Sequence, residues 1–524
     1  MNKELSIQDI EEILTNRIKD DKFTTLKSLP KPDKFKDMDK ATKRIVKAIH
    51  NDETINLVGD YDADGVTSTA IIVSFFNALG LEINYIIPNR FEHGYGLSPI
   101  ILEQIYDGIV VTVDNGISAV EAANICKKKG LDLIITDHHT VGDILPDAFA
   151  IVNPKQSDCT FPFPEICGAQ IAWYLCASIK KELNFDYNLL DLFDILCIAI
   201  VADIMPMVSL NKTMVKAGLK SLKTSIRPAI VVLRQRFELK FFTEEDIGFK
   251  IAPLINCAGR MADPSIALEF LLSFDEVEAN MQLDHLIELN ELRKEEQMKM
   301  FNEAKRQVNI KDKVVVVFSE EWNEGIVGIV ASKLCEKYKK PAIVLSVDGD
   351  IAKASARSTS LVNLYELIKS CDSLLNGFGG HKQAAGLSID THRINEFKTM
   401  INQNINNLQE VREDKSTYSL GQFNISDVNT TVYEVVESFR PFGITNSYPI
   451  LSFVNLEVFN ITKMGKNKEF TKLVVGNGIN VIEVIIFVDF DNVKIGDIIN
   501  FTANISKNEF RGEVKFNLMF KELL

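Results

Sequence analysis

The chain has 524 residues, of which 46% are hydrophobic and 25% are charged. This composition is that of an ordinary globular protein and excludes a mainly disordered chain, a collagen-like fibre and a small cysteine-stapled scaffold. At about 150 residues per domain, the length predicts three or four folding units. The net charge of −14 speaks against a protein that coats nucleic acid with its whole surface, although it leaves room for a basic channel.

The N-terminus, MNKELSIQDIEEIL, is acidic and amphipathic and lacks the apolar core of a secretory signal. The longest apolar stretches fall short of the ~20 residues needed to span a bilayer. The eight cysteines are scattered without a CxxC pair, which favours reduced thiols over a structural zinc site. We therefore expect a soluble cytoplasmic protein that does not bind membranes.

In chain order, residues 1–50 predict a helical segment, and from Ile55 strands alternate with helices. The strands lie in INLVGD, LEINYIIP, DGIVVTVD and LDLIITD, and ICGAQIAWYLCASIKKEL and NLLDLFDILCIAIVAD follow as buried helices. Strands that alternate with helices predict a parallel sheet covered on both faces. This pattern predicts a first α/β domain over residues 51–282.

A long charged helix without Gly or Pro, Leu283–Asn309, predicts an inter-domain rod over residues 283–310. A second, smaller α/β domain is predicted over residues 311–405. From Val411 the periodicity shortens to two, and short strands separated by Gly, Asn and Lys turns predict a small barrel or sandwich over residues 411–524. The predicted fold class is therefore α/β with a C-terminal β-structure.

The first concentrated chemical signal is the run Asp60-Tyr61-Asp62-Ala63-Asp64-Gly65, directly after the first predicted strand. Ligands of open α/β sheets bind outside the carboxyl ends of the strands. Carboxylates packed this closely repel one another unless a cation neutralises them. A solvated acidic turn is one alternative. A calcium loop, the other, needs Glu at its twelfth position, where this chain has Ile71.

Two further predicted strands also end in metal-ligand residue types. Asp114 follows VVTV, and the run Asp137-His138-His139 follows LIIT. Mixed Asp/His sets suit manganese, magnesium or zinc, and shared carboxylates suit a pair of metals. Asp203, at the end of an apolar helix, would by itself be an ordinary helix terminus.

The runs DYDADG, VTVDNGIS, TDHH and ADIMPM, in this order, resemble motifs I to IV of the DHH phosphoesterase superfamily. GFGGHKQAAG is similar to the GGH signature of the DHHA1 domain. Additional blocks look like those of the RecJ family of single-stranded-DNA exonucleases: PNRFEHGYGLS, INCAGRM, WNEGIVGIVASKL, ASARS and PFGITNSYPI. The resemblance extends from about Leu29 to the C-terminus and implies an OB-fold for the C-terminal β-structure.

The resemblance implies two divalent metal ions, Mn²⁺ or Mg²⁺, and the residues that hold them. Their ligands would be Asp62, Asp64, Asp114, His138 and Asp203. Asp60 and His139 would act as catalytic residues at the edge of the metal pair. Val58 stands where many DHH phosphoesterases carry His, four residues before Asp62, and Asp60 is expected to compensate.

The implied substrate-binding residues lie later in the chain: Arg260, Ser355, Arg357, Gly379, Gly380 and His381. We expect Ser355 and Arg357 on a loop after a strand, where the Arg357 fork suits bidentate capture of a terminal 5′-phosphate. The alternative is that Arg357 pairs with an acidic residue across the domain interface. Lys463, Lys466 and Lys468 around a Gly turn, beside Phe470, favour strand binding by the barrel, and a stabilising or docking barrel is the alternative.

The implied function is a metal-dependent 5′→3′ exonuclease that degrades single-stranded DNA to 5′-mononucleotides in DNA repair and recombination. One alternative is a DHH phosphoesterase for short oligoribonucleotides or a dinucleotide, although such enzymes typically lack the barrel and the long helix. Another is a RecJ-derived scaffold without metal binding, which requires eroded ligands. A helicase and a single-strand-binding protein are candidate partners, and the architecture suggests a monomer.

Overall fold

The computed structural model describes residues 4–407, 419–465, 468, 470–487, 490, 492–510 and 513–524. The chain divides into two compact units, each assembled from separate segments. The larger unit contains residues 30–203 and the described part of 218–413. The smaller unit contains the described parts of 1–29 and 414–524, together with 204–217. The predicted N-terminal segment 1–50 is thus shared between the two units, and Val411 lies outside the described residues.

The first sheet of the larger unit has five parallel strands in the order β2-β1-β3-β4-β5. The strands are β1 (Ile55–Val58), β2 (Asn84–Ile86), β3 (Ile109–Val113), β4 (Asp132–Thr136) and β5 (Ala150–Val152). β1 and β3 are buried along their whole length, as expected of central parallel strands between helical layers. The predicted parallel sheet is confirmed. The outer strand β5 was not among the predicted strands.

Helices cover this sheet and complete the first α/β region. The helix Ala63–Ala78 is apolar on nearly every side and packs against Gly168–Glu182 and Phe193–Ala202, so it is almost wholly buried. The other α-helices before residue 275 in the larger unit are Met38–His50, Pro99–Leu102, Val120–Lys129, Pro228–Arg236, Glu244–Asp246, Ala252–Met261 and Ser265–Leu272. The helix Ser209–Thr224 belongs in part to each unit.

The predicted long helix runs from Glu276 to Gln307, so it begins before the predicted start at Leu283. Its N-cap is Asp275, whose side chain accepts hydrogen bonds from the backbone N–H groups of Val277 and Glu278. This cap explains the earlier start, because it satisfies N–H groups that the first helical turn leaves without partners.

The second sheet has the order β6-β7-β8-β10-β9 and is mixed, since only β6 and β7 pair in parallel. Its strands are β6 (Val315–Ser319), β7 (Ala342–Asp348), β8 (Ile351–Arg357), β9 (Leu375–Gly380) and β10 (Ala384–Asp390). The helix Val327–Tyr338 covers one face at β6 and β7. The helices Leu364–Lys369 and Ile394–Asn404 cover the opposite face. The prediction that Ser355 and Arg357 lie on a loop is wrong, because both belong to β8.

The smaller unit contains a closed five-stranded barrel in the order β11-β12-β13-β15-β14, which confirms the predicted barrel. Its strands are β11 (Leu451–Met464), β12 (Phe470–Gly476), β13 (Val481–Ile486), β14 (Ile498–Phe510) and β15 (Glu513–Leu523). The helices Ile7–Ile18 and Thr430–Ser438 share its hydrophobic core. Within the described residues, none of the helices is both long and apolar enough to cross a membrane.

Candidate metal centre and adjoining cleft

The carboxyl ends of β1, β3 and β4 bring the predicted ligand runs to one edge of the first sheet. Because β1, β3 and β4 are neighbours, Asp60, Asp114 and His138 follow adjacent strands. Asp62 is the N-cap of the helix Ala63–Ala78, and its Oδ1 accepts from the backbone N–H groups of Asp64 and Gly65. The predicted convergence of the strand ends is therefore present in the structure.

The seven predicted metal and catalytic residues form one connected cluster. The His138 ring lies at its centre, with Nε2 at 3.2 Å from Oδ1 of Asp114, 3.6 Å from Oδ2 of Asp203 and 3.8 Å from Oδ2 of Asp64. Three overlapping groups have ligand atoms close enough to share a metal ion: Asp60, Asp62 and Asp114; Asp64, His138 and Asp203; and Asp114, His138 and His139. Asp114 and His138 each belong to two of these groups. Because a carboxylate offers two oxygens, Asp114 is the better placed of the two to bridge a pair of ions.

Asn115 holds the ends of β1 and β3 together. From the sequence alone, Asn115 is recognisable only as a turn residue. Its Nδ2 donates to the carbonyl oxygens of Val58, Gly59 and Val113, and its Oδ1 accepts from the backbone N–H of Leu97. The side chain is fully buried. Asn115 therefore ties the end of β1 to the end of β3 and fixes the separation of the carboxylates that follow them.

Gly168 supports the cluster from the start of the helix Gly168–Glu182. The backbone N–H of Gly168 donates to Oδ2 of Asp64 at 2.6 Å, and that of Ala169 donates to Oδ1 at 2.8 Å. A Cβ on Gly168 would lie 2.5 Å from Cβ and Oδ1 of Asp114. This close approach requires glycine, and no sequence motif considered above contains Gly168.

Burial and mutual repulsion make the ionised cluster unfavourable without cations. Burial, followed by the charge of Asp62, raises the pKa of Asp64 to about 6. Burial, followed by the charges of Asp64 and Asp62, raises the pKa of Asp203 to about 8. The pKa values of Asp60 and Asp114 are raised for the same reasons. Burial, with the neighbouring His139, lowers the pKa of His138 to about 3, so that its ring is neutral and able to bind a metal.

The donor set fits a pair of divalent cations. Within the described part of the chain, Oδ1 of Asp60, Oδ1 of Asp114 and Oδ2 of Asp203 are buried oxygens without a hydrogen-bond donor. Buried carboxylate oxygens are costly unless they are paired or bound to a cation. Oxygen ligands with one neutral imidazole suit Mn²⁺ or Mg²⁺. The residues present therefore match the metals that the sequence predicts.

His139 differs from His138 because Asp137 holds it. Oδ1 of Asp137 lies 2.7 Å from Nδ1 of His139 and accepts from the backbone N–H groups of both histidines. Burial by itself would lower the pKa of His139, but the hydrogen bond and charge of Asp137 outweigh it and raise the pKa to about 9. The His139 ring is thus protonated at neutral pH and presents Nε2 to the cleft side of the cluster.

A cleft of about 810 Å³ adjoins the cluster and lies between the two sheets of the larger unit. Tyr95, Asp137 and His139 line it from the first α/β region. Gly379, Gly380 and His381 line it from the second sheet, so the structure brings these predicted substrate-binding residues opposite His139. This arrangement exposes a protonated imidazole to any chain that enters the cleft.

Ser355 and Arg357 contact each other, but neither they nor Arg260 are among the residues that line this cleft. Nη1 of Arg357 donates to Oγ of Ser355 at 3.1 Å and to the carbonyl oxygen of Ala356 at 2.8 Å. Nη1 of Arg260 donates to the carbonyl oxygen of Gly325 at 3.1 Å. Among the described residues, Arg357 has no carboxylate in an ion pair with it. The described residues therefore give no support to the alternative of an acidic partner across the interface.

Burial lowers the pKa of Arg260 to about 10, with the charge of Arg90 acting in the same direction and that of Asp62 opposing it. Burial also lowers the pKa of Arg357. Both groups stay charged at neutral pH, and buried cations without full compensation favour an anionic ligand. These guanidinium groups are therefore suited to a phosphate.

We expect the metal-free protein to lose stability as the pH rises from about 4 to about 8. Unfolded carboxyls titrate near pH 3.9, whereas Asp64 and Asp203 have folded pKa values of about 6 and about 8. The folded protein therefore holds protons on these two carboxyls that the unfolded chain has released, and the stability present below the unfolded pKa is lost as they ionise. His138, whose pKa is lowered to about 3, acts in the opposite direction below about pH 6.5, but it is one group against two.

Thermal melting in EDTA across this pH range tests this prediction, with Asp203→Asn as the comparison. The fall in melting temperature should be smaller in the variant, since one of the two groups no longer ionises. Mn²⁺ should remove the fall in the unaltered protein, because metal binding displaces the protons. An equal or steeper fall in the variant would contradict the prediction.

Comparison with known proteins assigns three segments to described families. Residues 54–200 match the DHH family, N-terminal domain, residues 311–407 match the DHHA1 domain, and residues 421–522 match the RecJ OB domain. The last match confirms the OB-fold predicted for the barrel.

Two curated proteins and one solved structure extend this similarity. The single-stranded-DNA-specific exonuclease RecJ of Bacillus subtilis is 33% identical over 505 residues, which cover 94% of this chain and 64% of that protein. The RecJ of Haemophilus influenzae is 32% identical over 481 residues, which cover 86% of this chain and 83% of that protein. The crystal structure of RecJ in complex with Mn²⁺ from Thermus thermophilus has a TM-score of 0.85 at 25% identity, and the match covers 99% of this chain and 75% of that one.

Proposed function

Since the chain belongs to the RecJ family of DHH phosphoesterases, we propose that it is a metal-dependent exonuclease that degrades single-stranded DNA in the 5′→3′ direction to 5′-mononucleotides. The observation that carries the proposal is the complete ligand cluster with His139 at the edge of a cleft. The alternative of a scaffold without metal binding requires eroded ligands, and all five predicted ligands lie in the cluster.

Two divalent cations held by Asp62, Asp64, Asp114, His138 and Asp203 would lower the pKa of a bound water and offset charge on the leaving oxygen. The chain supplies the remaining functions. Protonated His139, oriented by Asp137, can donate a hydrogen bond to a phosphate oxygen or to the leaving group. Asp60 remains a proposed catalytic residue, and its buried Oδ1 faces the same cluster.

The polarity of digestion would come from capture of the 5′ end. We assign the terminal 5′-phosphate to Arg357, Ser355 and Arg260, with Gly379, Gly380 and His381 contacting the adjoining nucleotide. A Cβ added to Gly328, at the start of the helix Val327–Tyr338, would lie 3.0 Å from Oγ of Ser355 and 3.4 Å from Nη2 of Arg357, so the helix backbone lies close to both side chains. Such tight packing holds the guanidinium in place before a ligand arrives, which favours affinity.

Arg357→Ala should raise KM by about tenfold or more for strands with a 5′-phosphate and much less for strands with a 5′-hydroxyl. A charge-assisted bidentate contact to phosphate is lost only when the phosphate is present. Steady-state cleavage of the two kinds of strand measures the effect, and Mn²⁺ affinity should be unchanged. Equal loss on both kinds of end would show that Arg357 does not sense the end.

The enzymatic proposal is tested by Mn²⁺-dependent release of mononucleotides from single-stranded DNA, single-stranded RNA and duplex DNA. We expect release from single-stranded DNA and little from duplex. Preferential cleavage of dinucleotides or short oligoribonucleotides would instead support the alternative phosphoesterase. The absence of cleavage on every substrate, at any concentration of Mn²⁺ or Mg²⁺, would overturn the proposal.

The barrel and the cellular context belong to the same proposal. An OB-fold suits contact with single strands, but Lys463 donates within the barrel to Oγ1 of Thr471 and to the carbonyl oxygen of Phe490. Lys468 and Phe470 therefore stay the better candidates for strand contact, and Lys466 lies outside the described residues. We further propose a cytoplasmic monomer that acts in DNA repair and recombination with a helicase and a single-strand-binding protein.

A further inference from the structure

The open face of the second sheet carries small residues where it meets the cleft. Side chains alternate along a strand, so Lys353, Ser355 and Arg357 of β8 share one face. In the register of the sheet, Ser355 lies beside Gly386 and Gly379, and Lys353 lies beside Ser388 and Gly377. The helix Val327–Tyr338 covers this face over β7 and over the Ser355–Arg357 end of β8. The part formed by Lys353 together with β10 and β9 stays exposed and is free to contact a ligand.

The glycines on this face are not explained by packing within the chain. A Cβ added to Gly377, Gly379 or Gly386 would meet no atom of the described residues closer than 3.7 Å. All three line the cleft, and none has a positive φ. Glycine inside a strand weakens it and often marks a place where another backbone approaches closely. The face is thus shaped for a ligand rather than for the fold.

Lys353 is the one lysine or arginine among the described residues that line this cleft. Its Nζ lies 3.2 Å from Oε1 and 3.0 Å from Oε2 of Glu324, which lines the same cleft. Asp137, the other carboxylate of the cleft, is already bound by His139 and by backbone N–H groups. Glu324 is therefore the local counter-charge of Lys353.

The loop that carries Glu324 is anchored on both sides. The Nε1 of Trp322 donates to Oε2 of Glu303 on the long helix. The carbonyl oxygen of Gly325 accepts from Arg260, whose backbone leaves no room for a Cβ at Gly325. Because this loop is anchored on both sides, the carboxylate of Glu324 stays within hydrogen-bonding distance of Lys353. The Lys353 side chain itself is 57% exposed.

We propose that Lys353 binds an internal phosphate of the DNA strand, and that Glu324 occupies this phosphate position in the free protein as a competing carboxylate. The inference rests on the proposed function, because it requires a strand in the cleft. Lys353 and Arg357 are four positions apart along β8, so their Cα atoms lie about 13 Å from each other. Lys353 would therefore meet a phosphate other than the one at Arg357. A carboxylate and a phosphate offer a lysine the same kind of charged oxygen acceptor.

The test is binding of a 3′-labelled thymidine oligonucleotide of about 12 nucleotides in EDTA, followed by fluorescence anisotropy across a salt series. Lys353→Gln should weaken binding by about tenfold and reduce the slope of log affinity against log salt by about 0.7, as one lost contact to a single strand does. Glu324→Gln should tighten binding by about two- to fivefold, the range that exposed ion pairs cover. The double variant should bind like Lys353→Gln.

Lys369→Gln and Glu366→Gln are the matched controls. They make the same charge changes on the helix Leu364–Lys369, and neither residue lines the cleft. If Glu324→Gln weakens binding, or if Lys353→Gln matches its control, the inference is overturned. Failure of the proposed function is distinguishable, because the unaltered protein would then neither bind nor cleave single-stranded DNA.

Discussion

Asp114→Asn should reduce nucleotide release to below about a hundredth of that of the unaltered protein. Asp114 belongs to two of the three ligand groups, and its Oδ1 lies 3.2 Å from Nε2 of His138. Loss of a residue that only supports a metal ligand typically lowers metal affinity or activity by about 10–100-fold. We therefore expect a larger decrease in activity when a shared ligand is lost. The metal-free variant should nevertheless melt at or above the temperature of the unaltered protein, because self-repulsion in the cluster falls.

Asn is preferred to Ala at this position because Asp114 has a φ of +63°. Asn tolerates the left-handed region, whereas Ala would add backbone strain to the loss of the ligand. Nucleotide release and thermal melting should be measured together, with the exposed Asp143→Asn as the charge-matched control. Retention of more than a small fraction of activity would contradict the assignment of Asp114 as a shared metal ligand.

Gly168→Ala should lower activity by about a hundredfold, although the substitution adds a single methyl group. The new Cβ would lie 2.5 Å from Asp114 atoms, and the backbone N–H of Gly168 donates to Asp64. Either Asp114 or the start of the helix must move, and displacements of about 1 Å at a reacting centre can cost this much. The expected defect is a loss of metal affinity, which titration calorimetry with Mn²⁺ measures directly.

Ala169→Gly is the control for Gly168→Ala. It lies next to Gly168, keeps the N–H donor to Asp64 and leaves no new atom in the cluster. Its cost should appear in melting temperature, because Gly near a helix start is less favourable than Ala by up to about 1 kcal/mol. If the Mn²⁺ affinity of Gly168→Ala is unaltered, the cluster accommodates a methyl group for which the structure shows no space, and the prediction is contradicted.

The parts of this protein that could be predicted from sequence are those encoded by local pattern. Asp and His residues that follow apolar runs predicted the positions of Asp60, Asp114 and His138, because parallel strands end at one edge of a sheet. The bonds of Asn115 to Val58 and Gly59 and the packing of Gly168 against Asp114 depend on residues distant in the chain, so no local pattern shows them.

The loop predicted for Ser355 and Arg357 missed a local pattern. In ASARS small apolar residues alternate with polar ones, which is the period-two pattern of a strand. In the structure the intervening Ala354 and Ala356 face the core and the whole segment is a strand. A strand of small residues is stabilised by its place between two neighbours, β7 and β10, and that pairing is a property of the fold rather than of the segment.

The glycines of the open sheet face bear on how one enzyme can process every nucleotide in turn. Bases are distinguished by side chains that match their hydrogen-bonding edges. Gly377, Gly379 and Gly386 offer only main chain and hydrogen atoms on this face, and the neighbouring Ser355 and Ser388 offer small hydroxyls. Such a surface treats adenine, guanine, cytosine and thymine alike. We therefore expect uniform digestion rates along strands of mixed composition, without a rearrangement of the cleft between one nucleotide and the next.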